Sequence, residues 1–453
     1  MKSSFVTVLL LLAFASVGFA DEFLSASGRL KLWGSVPLDS DRESDLPSLM
    51  GRVKLDTPSL AWHLHAEIEG GWDGSVALES RSHAIVKTYD AVYQRNTPYL
   101  EFKEFYGAYV TDSFELRAGV QRFAWGRLDE YPINDHLNPW DYTQFLLTPL
   151  EERKIGVPSL SALLGNNDWR FQAVLVPLFV PCRLSLPGES WSGFPEASAL
   201  SKIPDLEITP AEPDLPPAGL KNSSAGFRLL HYGPVEWALT LFHGYDSRPV
   251  FKTTALAIHS LPAKLLIDPG SVPDFHKMTS MGIDAAGIIG DWSLRAEAAY
   301  SLGRYFNTGR ERWGYPSTFF LGKYSLNSNE HESDTLEYGI GVDYRLFEDS
   351  LLILQAQQTI IVNRPNTLYE RQIETIAWAT VKTGWLNQRM ETNLTVACNP
   401  EHRGVFTKVN ALYGITDYWK AGISAGLFAG DSQSLFGRFS KKDQLGAEIV
   451  FFW

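Results

Sequence analysis

TLEYGIGVDYRLF, Thr335 to Phe347, alternates without a break. Leu336, Tyr338, Ile340, Val342, Tyr344 and Leu346 fall on one side of an extended chain. Glu337, Gly339, Gly341, Asp343 and Arg345 fall on the other. Successive side chains in a strand point to opposite faces, so a period of two predicts a strand with one apolar face and one polar or small face. The pattern recurs. WSLRAEAAYSL, from Trp292, sets Trp292, Leu294, Ala296, Ala298, Tyr300 and Leu302 against Arg295 and Glu297. LAWHLHAEIEGG, from Leu60, sets Leu60, Trp62, Leu64, Ala66 and Ile68 against His63, His65, Glu67 and Glu69. The last segment sets Leu445, Ala447, Ile449, Phe451 and Trp453 against Gln444, Glu448 and Val450.

A soluble β-sandwich also alternates, and the connections separate the two cases. Short turns fall at Thr57-Pro58-Ser59, Thr111-Asp112-Ser113, Gly165 to Asp168, Gly233-Pro234, Gly290-Asp291, Phe347 to Ser350, Asn387-Gln388 and Thr416-Asp417. Long connections lie between them: Asp73 to Thr97, Arg127 to Arg153, Pro181 to Lys221, Asp246 to His276 and Arg304 to Glu332. Alternating short and long connections are the pattern of a transmembrane antiparallel up-and-down β-barrel. The segments number about eighteen, within sixteen to twenty. An even count returns both ends of the strand series to the same side of a membrane.

Composition agrees. A formal charge of −12 and a mean hydropathy of −0.12 resemble a soluble protein, yet aromatics reach 13%, with 14 Trp, 18 Tyr and 26 Phe. Barrel strands need only every second residue to be apolar, so hydropathy averages near neutral while aromatic girdles enrich Trp and Tyr. Lys2 followed by the apolar run Phe5 to Val17 and Gly18-Phe19-Ala20 reads as a secretory signal over residues 1–20, leaving residues 21–453 as one barrel domain. Cys182 and Cys398 allow one disulfide in an oxidising compartment, and their number alone does not decide it. There is no CxxCH and no CxxC zinc pattern, so neither an attached haem nor another cofactor is expected. Net acidity without a basic segment excludes nucleic acid as a partner.

If the apolar faces meet lipid, the opposite faces line a lumen too wide for side chains to fill. Arg29, Lys31, Arg52, Lys54 and Arg117 supply its basic candidates, and His63, His65, Glu67 and Glu69 stand beside them. Four cations on the first two strands would focus a positive potential into the lumen and favour anions. The alternative is a compensated wall with Asp56, Glu67 and Glu69 as neutralisers. Two imidazoles and a carboxylate at His63, His65 and Glu67 have ligand types that suit zinc. Their spacing along the strand, about 6–7 Å, keeps them apart, so hydrated wall histidines and no metal are expected.

WGRLDEYPINDHLNPWDYTQF, Trp125 to Phe145, has neither a strand nor a helix period. Asp129, Glu130, Asp135 and Asp141 outweigh Arg127, while Pro132 and Pro139 stiffen the backbone. No nucleophile-elbow, HExxH or Walker pattern accompanies it, so no catalytic residue is expected.

The leader, the alternation throughout and the aromatic on the last strand together resemble a Gram-negative outer-membrane porin. More narrowly, GVQRFAWGRLDEYPINDHLNPWDY followed by VPLFVPCRLSLPGESW is similar to an uncharacterised porin-like family. That family has a G-x-Q-x-x-x-W-G strand end, an N-P-x-D loop and an F-x-P-x-R-L-P segment; R-L-S-L-P here departs from the last. The resemblance implies a channel for passive diffusion of small hydrophilic solutes or ions, with periplasmic termini. It implies outer-membrane lipid and lipopolysaccharide as surroundings, and a last strand read by the barrel-assembly machinery. It also implies that the loop 127–153, corresponding to the third long loop of known porins, turns inward and narrows the pore. Trimers are common among such proteins, although the sequence carries no interface signal. Two other classes stay open: a structural sheath housing a partner such as a multihaem cytochrome or an export-complex subunit, and a barrel enzyme. Strands that begin near Leu24 leave no room for a plug domain.

Overall fold

The computed structural model describes residues 24–39, 46–57, 61–75, 81–82, 95–185, 191, 206–208, 215–253, 257–261, 264–268, 271–308, 330–368, 370–432 and 434–453. Residues 1–20, read above as an export signal, lie outside the described residues, as does most of the proline-rich stretch 186–214.

Eighteen strands form one closed antiparallel sheet in which each pairs with its neighbours in sequence. They are β1 (Ser25–Pro37), β2 (Ser48–Asp56), β3 (Trp62–Trp72), β4 (Tyr99–Val110), β5 (Phe114–Gln121) and β6 (Val157–Gly165). Next come β7 (Trp169–Val176), β8 (Ser224–His231), β9 (Val235–Tyr245), β10 (Lys277–Ile289), β11 (Trp292–Asn307) and β12 (Glu330–Phe347). The ring finishes with β13 (Ser350–Ile361), β14 (Ile373–Trp385), β15 (Met390–Asn399), β16 (Gly404–Gly414), β17 (Trp419–Ala429) and β18 (Gln444–Phe452). The expected count of about eighteen is met; β12 starts earlier than Thr335, at Glu330, and carries the strand into the preceding connection.

The burial pattern is inverted relative to a soluble protein. Ile340 is 59% exposed, Ile423 67% and Trp62 71%, whereas Asp284 is 1%, Glu297 3% and Arg228 6%. Apolar side chains point outward and charged ones inward along the same strands. Such an outer surface is stable only against an apolar solvent, since each exposed apolar square ångström in water is unfavourable by about 25 cal/mol. Small extra sheets, including 257–261 with 264–268 and 250–253 with 271–274, stand on the long connections. Cys182 and Cys398 are both free thiols. Cys182 is fully buried, which pushes its thiol up in pKa and leaves it unreactive.

The ring closes between β1 and β18, with Arg29 opposite Phe452 and Pro37 opposite Gln444. One step further, Gly28 and Trp453 exchange both backbone hydrogen bonds at 3.1 Å. The Trp453 indole lies over Gly28 so closely that a Cβ there would overlap the ring, and it would also lie 2.7 Å from the Arg52 carbonyl oxygen. Glycine at 28 is therefore what lets the terminal aromatic cover the seam. Gly28→Val is expected to lower the yield of folded, heat-modifiable barrel on electrophoresis, whereas the same change at outward-facing Ala26 leaves it intact.

Candidate functional site in the barrel interior

Residues 122–156, between β5 and β6, lie against inward-facing side chains on widely separated strands. Their main anchor is one carboxylate. Glu297, on the inner face of β11, accepts the backbone N–H groups of Arg127 and Leu128 on Oε1, and those of Ile133 (2.8 Å) and Asn134 (3.2 Å) on Oε2. Four convergent amides satisfy the lone pairs of a buried anion, the condition under which burial of a charge is tolerable. Side chains frame this seat. Arg127 donates to Glu236 at 2.7 Å and to Asp284 at 3.0 Å. Burial pulls its pKa down, but those two carboxylates raise it above the ordinary arginine value. Arg295 donates to Asp129 (2.7 Å), Asp343 (2.5 Å) and the Arg127 carbonyl (2.9 Å). The Asp129 N–H donates to Gln355 at 2.9 Å. Leu128 fits here because Gly339 has no side chain; a Cβ there would come within 2.7 Å of it. The small face of Thr335 to Phe347 thus has a purpose that alternation alone does not reveal.

Next to this seat the interior is apolar. Phe123, Trp125, Leu137 and Ile155 cluster with Val157, Val174, Val176, Phe242 and Met278 from the wall. Asn138 ties the two ends of the segment together. Its Oδ1 accepts the Phe123 N–H at 2.6 Å, and its Nδ2 donates to Gln121 (3.1 Å) and Ile155 (2.8 Å) carbonyls. Lys154 binds Asp135, whose pKa burial nonetheless raises above the usual carboxylate value. Burial also lowers His136, which is neutral at pH 7.

The far part of the segment reaches the opposite wall. Phe145 packs at a tilt against Phe439 with ring centroids 4.5 Å apart and against Phe428 at 6.1 Å. Leu146 shares a buried cluster with Trp378, Phe406, Phe428 and Phe436. Lys408, from β16, donates to the Leu147 carbonyl at 2.5 Å. A single helical turn, α1 (Leu150–Arg153), then brings Glu152 to Arg29 of β1 at 2.5 Å. Burial pushes Glu152 up, but Arg29, Lys31 and Arg52 together hold its pKa below the usual range. Arg183 pairs with Glu101 (2.9 Å) and Asp141 (3.4 Å), closing the bridge from the next connection.

What stays open lies beside this segment. A cavity of about 880 Å³ runs between Asp141, Thr143, Gln144, Leu147, Thr148 and Glu152 on one side and the wall of β12–β18 and β1–β4 on the other. Its lining reaches Asp73 and Ser75 at the long-loop end and Glu348, Asp349 and Gln388 at the short-turn end. A separate cavity of about 200 Å³ is lined by Glu115, Arg117, Arg122, Trp125 and Gln172.

The candidate residues fall as follows. Arg29 and Arg52 face each other across β1 and β2, so the four cations do gather, but carboxylates attend each of them. Arg29 meets Glu152, Lys31 meets Glu448 (2.6 Å), Arg52 meets Glu67 (3.2 Å) and Glu69, and Lys54 meets Glu67 (3.6 Å). Arg117 meets Glu115 and lies over the Tyr106 ring at 5.0 Å. Each loop acid also has a cation: Asp129 has Arg295, Glu130 has Arg153 (3.1 Å), Asp135 has Lys154 and Asp141 has Arg183. Of these four acids, Asp141 lines the large cavity. His63 and His65 are half-buried on the β3 wall; His65 Nδ1 lies 2.5 Å from Asp56 and its ring stacks on Tyr106 at 5.0 Å. The sequence reading missed Arg122, Glu152 and the Glu101–Arg183 pair. Glu101 and Lys103 alternate with Leu100 and Phe102, a signal that was present, whereas Arg122, Glu152 and Arg183 lie in aperiodic sequence.

Glu297→Ala leaves four buried amides without an acceptor, a loss of roughly 3–5 kcal/mol. Hydrogen exchange at residues 127–134 is expected to rise sharply in that variant while exchange in β11 stays slow. Glu152 gives a pH prediction. A carboxylate with a depressed folded pKa stabilises above its unfolded value and loses that contribution as pH falls through the folded one. Protection of residues 150–153 should therefore persist at neutral and mildly acidic pH and fall only below the ordinary carboxylate range; in Glu152→Gln it should not vary with pH over that window.

No protein-family model and no curated protein matches this sequence. Solved structures do resemble it. OccAB1 of Acinetobacter baumannii has 8% identity and a TM-score of 0.50, over 95% of this chain and 95% of that one. OccK8 (OprE) of Pseudomonas aeruginosa has 9% identity and a TM-score of 0.49, over 95% and 97%. The outer membrane channel DcaP of A. baumannii has 10% identity and a TM-score of 0.43, over 95% and 97%. At such identities the likeness to OccAB1 bears on fold alone, and the fold it shares with this chain is the closed β-barrel.

Proposed function

We propose that this chain is an outer-membrane channel for passive diffusion of small hydrophilic solutes or ions, narrowed by residues 127–153. The observation that carries the reading is the large cavity whose lining joins the long-loop end to the short-turn end alongside that segment. A path with charged walls, wide enough for water and lined from one end of the barrel to the other, conducts by diffusion and needs no bond made or broken. The seating of residues 122–156 on both walls supports a channel over a sheath, because a housed partner requires a clear lumen. Residues 1–20 are the export signal in this reading, residues 21–453 are the single barrel domain, and the short-turn end is periplasmic. Lipid and lipopolysaccharide surround the outward apolar face, the last strand engages the assembly machinery, and trimerisation follows porin precedent.

We also propose a slight anion preference. Lys382 and Lys408 line the path without a carboxylate partner among the described residues. The lining acids without a cation partner among the described residues, Asp73, Glu348 and Asp349, stand at its two ends. Inward of those end acids the unbalanced charge is thus positive, with Lys382 one step in from the short-turn end and Lys408 further along, and a low-dielectric wall focuses it.

Planar-bilayer recording of the purified protein is expected to show stepwise conductance and a reversal potential displaced towards anions in a salt gradient. Lys382→Glu with Lys408→Gln should move that potential towards cations with the conductance step retained. Absence of steps sinks the channel reading; steps with an unmoved potential sink the assignment of selectivity to these two lysines.

A further inference from the structure

We propose that Asp274, His276 and Glu330 form a zinc-binding site at the long-loop rim of the barrel. Residues 271–276 lead into β10 and Glu330 opens β12, with β11 paired between these strands. His276 Nε2 lies 2.9 Å from Glu330 Oε2 and 3.8 Å from Asp274 Oδ2. One ligating atom from each of the three lies within 4.8 Å of the other two.

The side chains are held in place by groups outside the set. The imidazole lies flat on the Tyr305 ring, with centroids 3.6 Å apart and planes 12° from parallel. Tyr305 in turn donates its hydroxyl to Glu332 at 3.1 Å. The Phe275 N–H donates to Asp274 Oδ1 at 2.8 Å, which leaves Oδ2 on the His276 side. The backbone of His276 is fixed by the Asp246 N–H, which donates to its carbonyl at 2.9 Å.

One imidazole nitrogen with two carboxylate oxygens is a donor set for zinc, which binds each at about 2.0–2.2 Å. The present separations need only a small inward shift to meet it. Magnesium and calcium prefer all-oxygen sets, so the imidazole selects a transition metal over them. A neutral imidazole and two carboxylates carry two negative charges, which a divalent ion offsets, and a water completes the coordination.

A second group of the same composition is already occupied. His65, Glu67 and Glu104 also bring ligating atoms within 4.8 Å of one another. There, however, Arg122 already contacts Glu67 at 2.5 Å and Glu104 at 3.0 Å, and Arg52 contacts Glu67 at 3.2 Å. Guanidinium groups occupy the place of a metal cation. At the rim, the ion-pair neighbour of Glu330 among the described residues is His276. Zinc there would tie residues 271–276 to the start of β12 and brace the mouth of the barrel.

Zinc titration calorimetry of the detergent-purified full chain, with magnesium in large excess, tests this. A single saturable site is expected, weakened at least about tenfold in His276→Ala and in Glu330→Gln, with heat-modifiable mobility unchanged in both. Cobalt in place of zinc should give the visible absorption of a four- or five-coordinate ion, and His276→Ala should abolish it. Equal zinc uptake by the parent chain and His276→Ala overturns the proposal. Displacement of zinc by the excess magnesium overturns it too, since that marks a general acidic surface.

Discussion

A strand inside a bilayer has no water to satisfy its N–H and C=O groups, so each must find a partner in the sheet, and the sheet must have no edge. Ring closure between β1 and β18 meets that condition here. Everything else follows from it. Closure forces each strand to show one face to the outside and one to the inside, which is why Ile340 and Ile423 lie outward while Asp284 and Glu297 lie buried inward. It also creates an interior too wide to be packed by wall side chains alone. The interior must therefore hold water, folded-in chain, or both.

Residues 122–156 supply the folded-in chain, and the means of attachment differ between the two walls. On the β9–β13 side the attachment is polar: the Glu297 carboxylate gathers four backbone amides, and Arg127, Arg228 and Arg295 weave through Asp284, Asp129 and Asp343. On the β14–β17 side it is aromatic, with Phe145 and Leu146 against Phe406, Phe428 and Phe439. A buried carboxylate bound to amides sets position sharply, whereas an aromatic cluster fills volume with less directional demand. Together they hold the segment at both ends and leave the charged path along Lys382, Lys408 and Asp141 beside it.

Charge compensation is the other organising feature. Arg29 and Arg52 face each other across a hairpin, an arrangement that would be destabilising with like charges alone. Glu152 and Glu69 relieve it, one arriving from α1 and the other from β3. The wall around that hairpin therefore presents ion pairs. Unbalanced charge is confined to a few positions, and selectivity in our reading rests on those rather than on the number of charged residues.

The strands were legible because their cause is local. Alternation in TLEYGIGVDYRLF or WSLRAEAAYSL reflects two environments on either side of one chain, and a period of two records that residue by residue. The count of strands, their order and the division into short and long connections needed nothing more. In the interior, sequence identified which residues face inward but not what they meet. Nothing in the run around Asp129 to Asp141 announces that Glu297, far along the chain, will bind its amides, or that Gly339 makes room for Leu128. Glu152, Arg122 and Arg183 carry no periodic signal, and their roles come from contacts across the lumen. By itself the sequence determined the barrel, because strand alternation is written into neighbouring residues. Only the tertiary structure decided how its interior is filled and its charges are paired, because those contacts join residues that ring closure, and not sequence proximity, brings together.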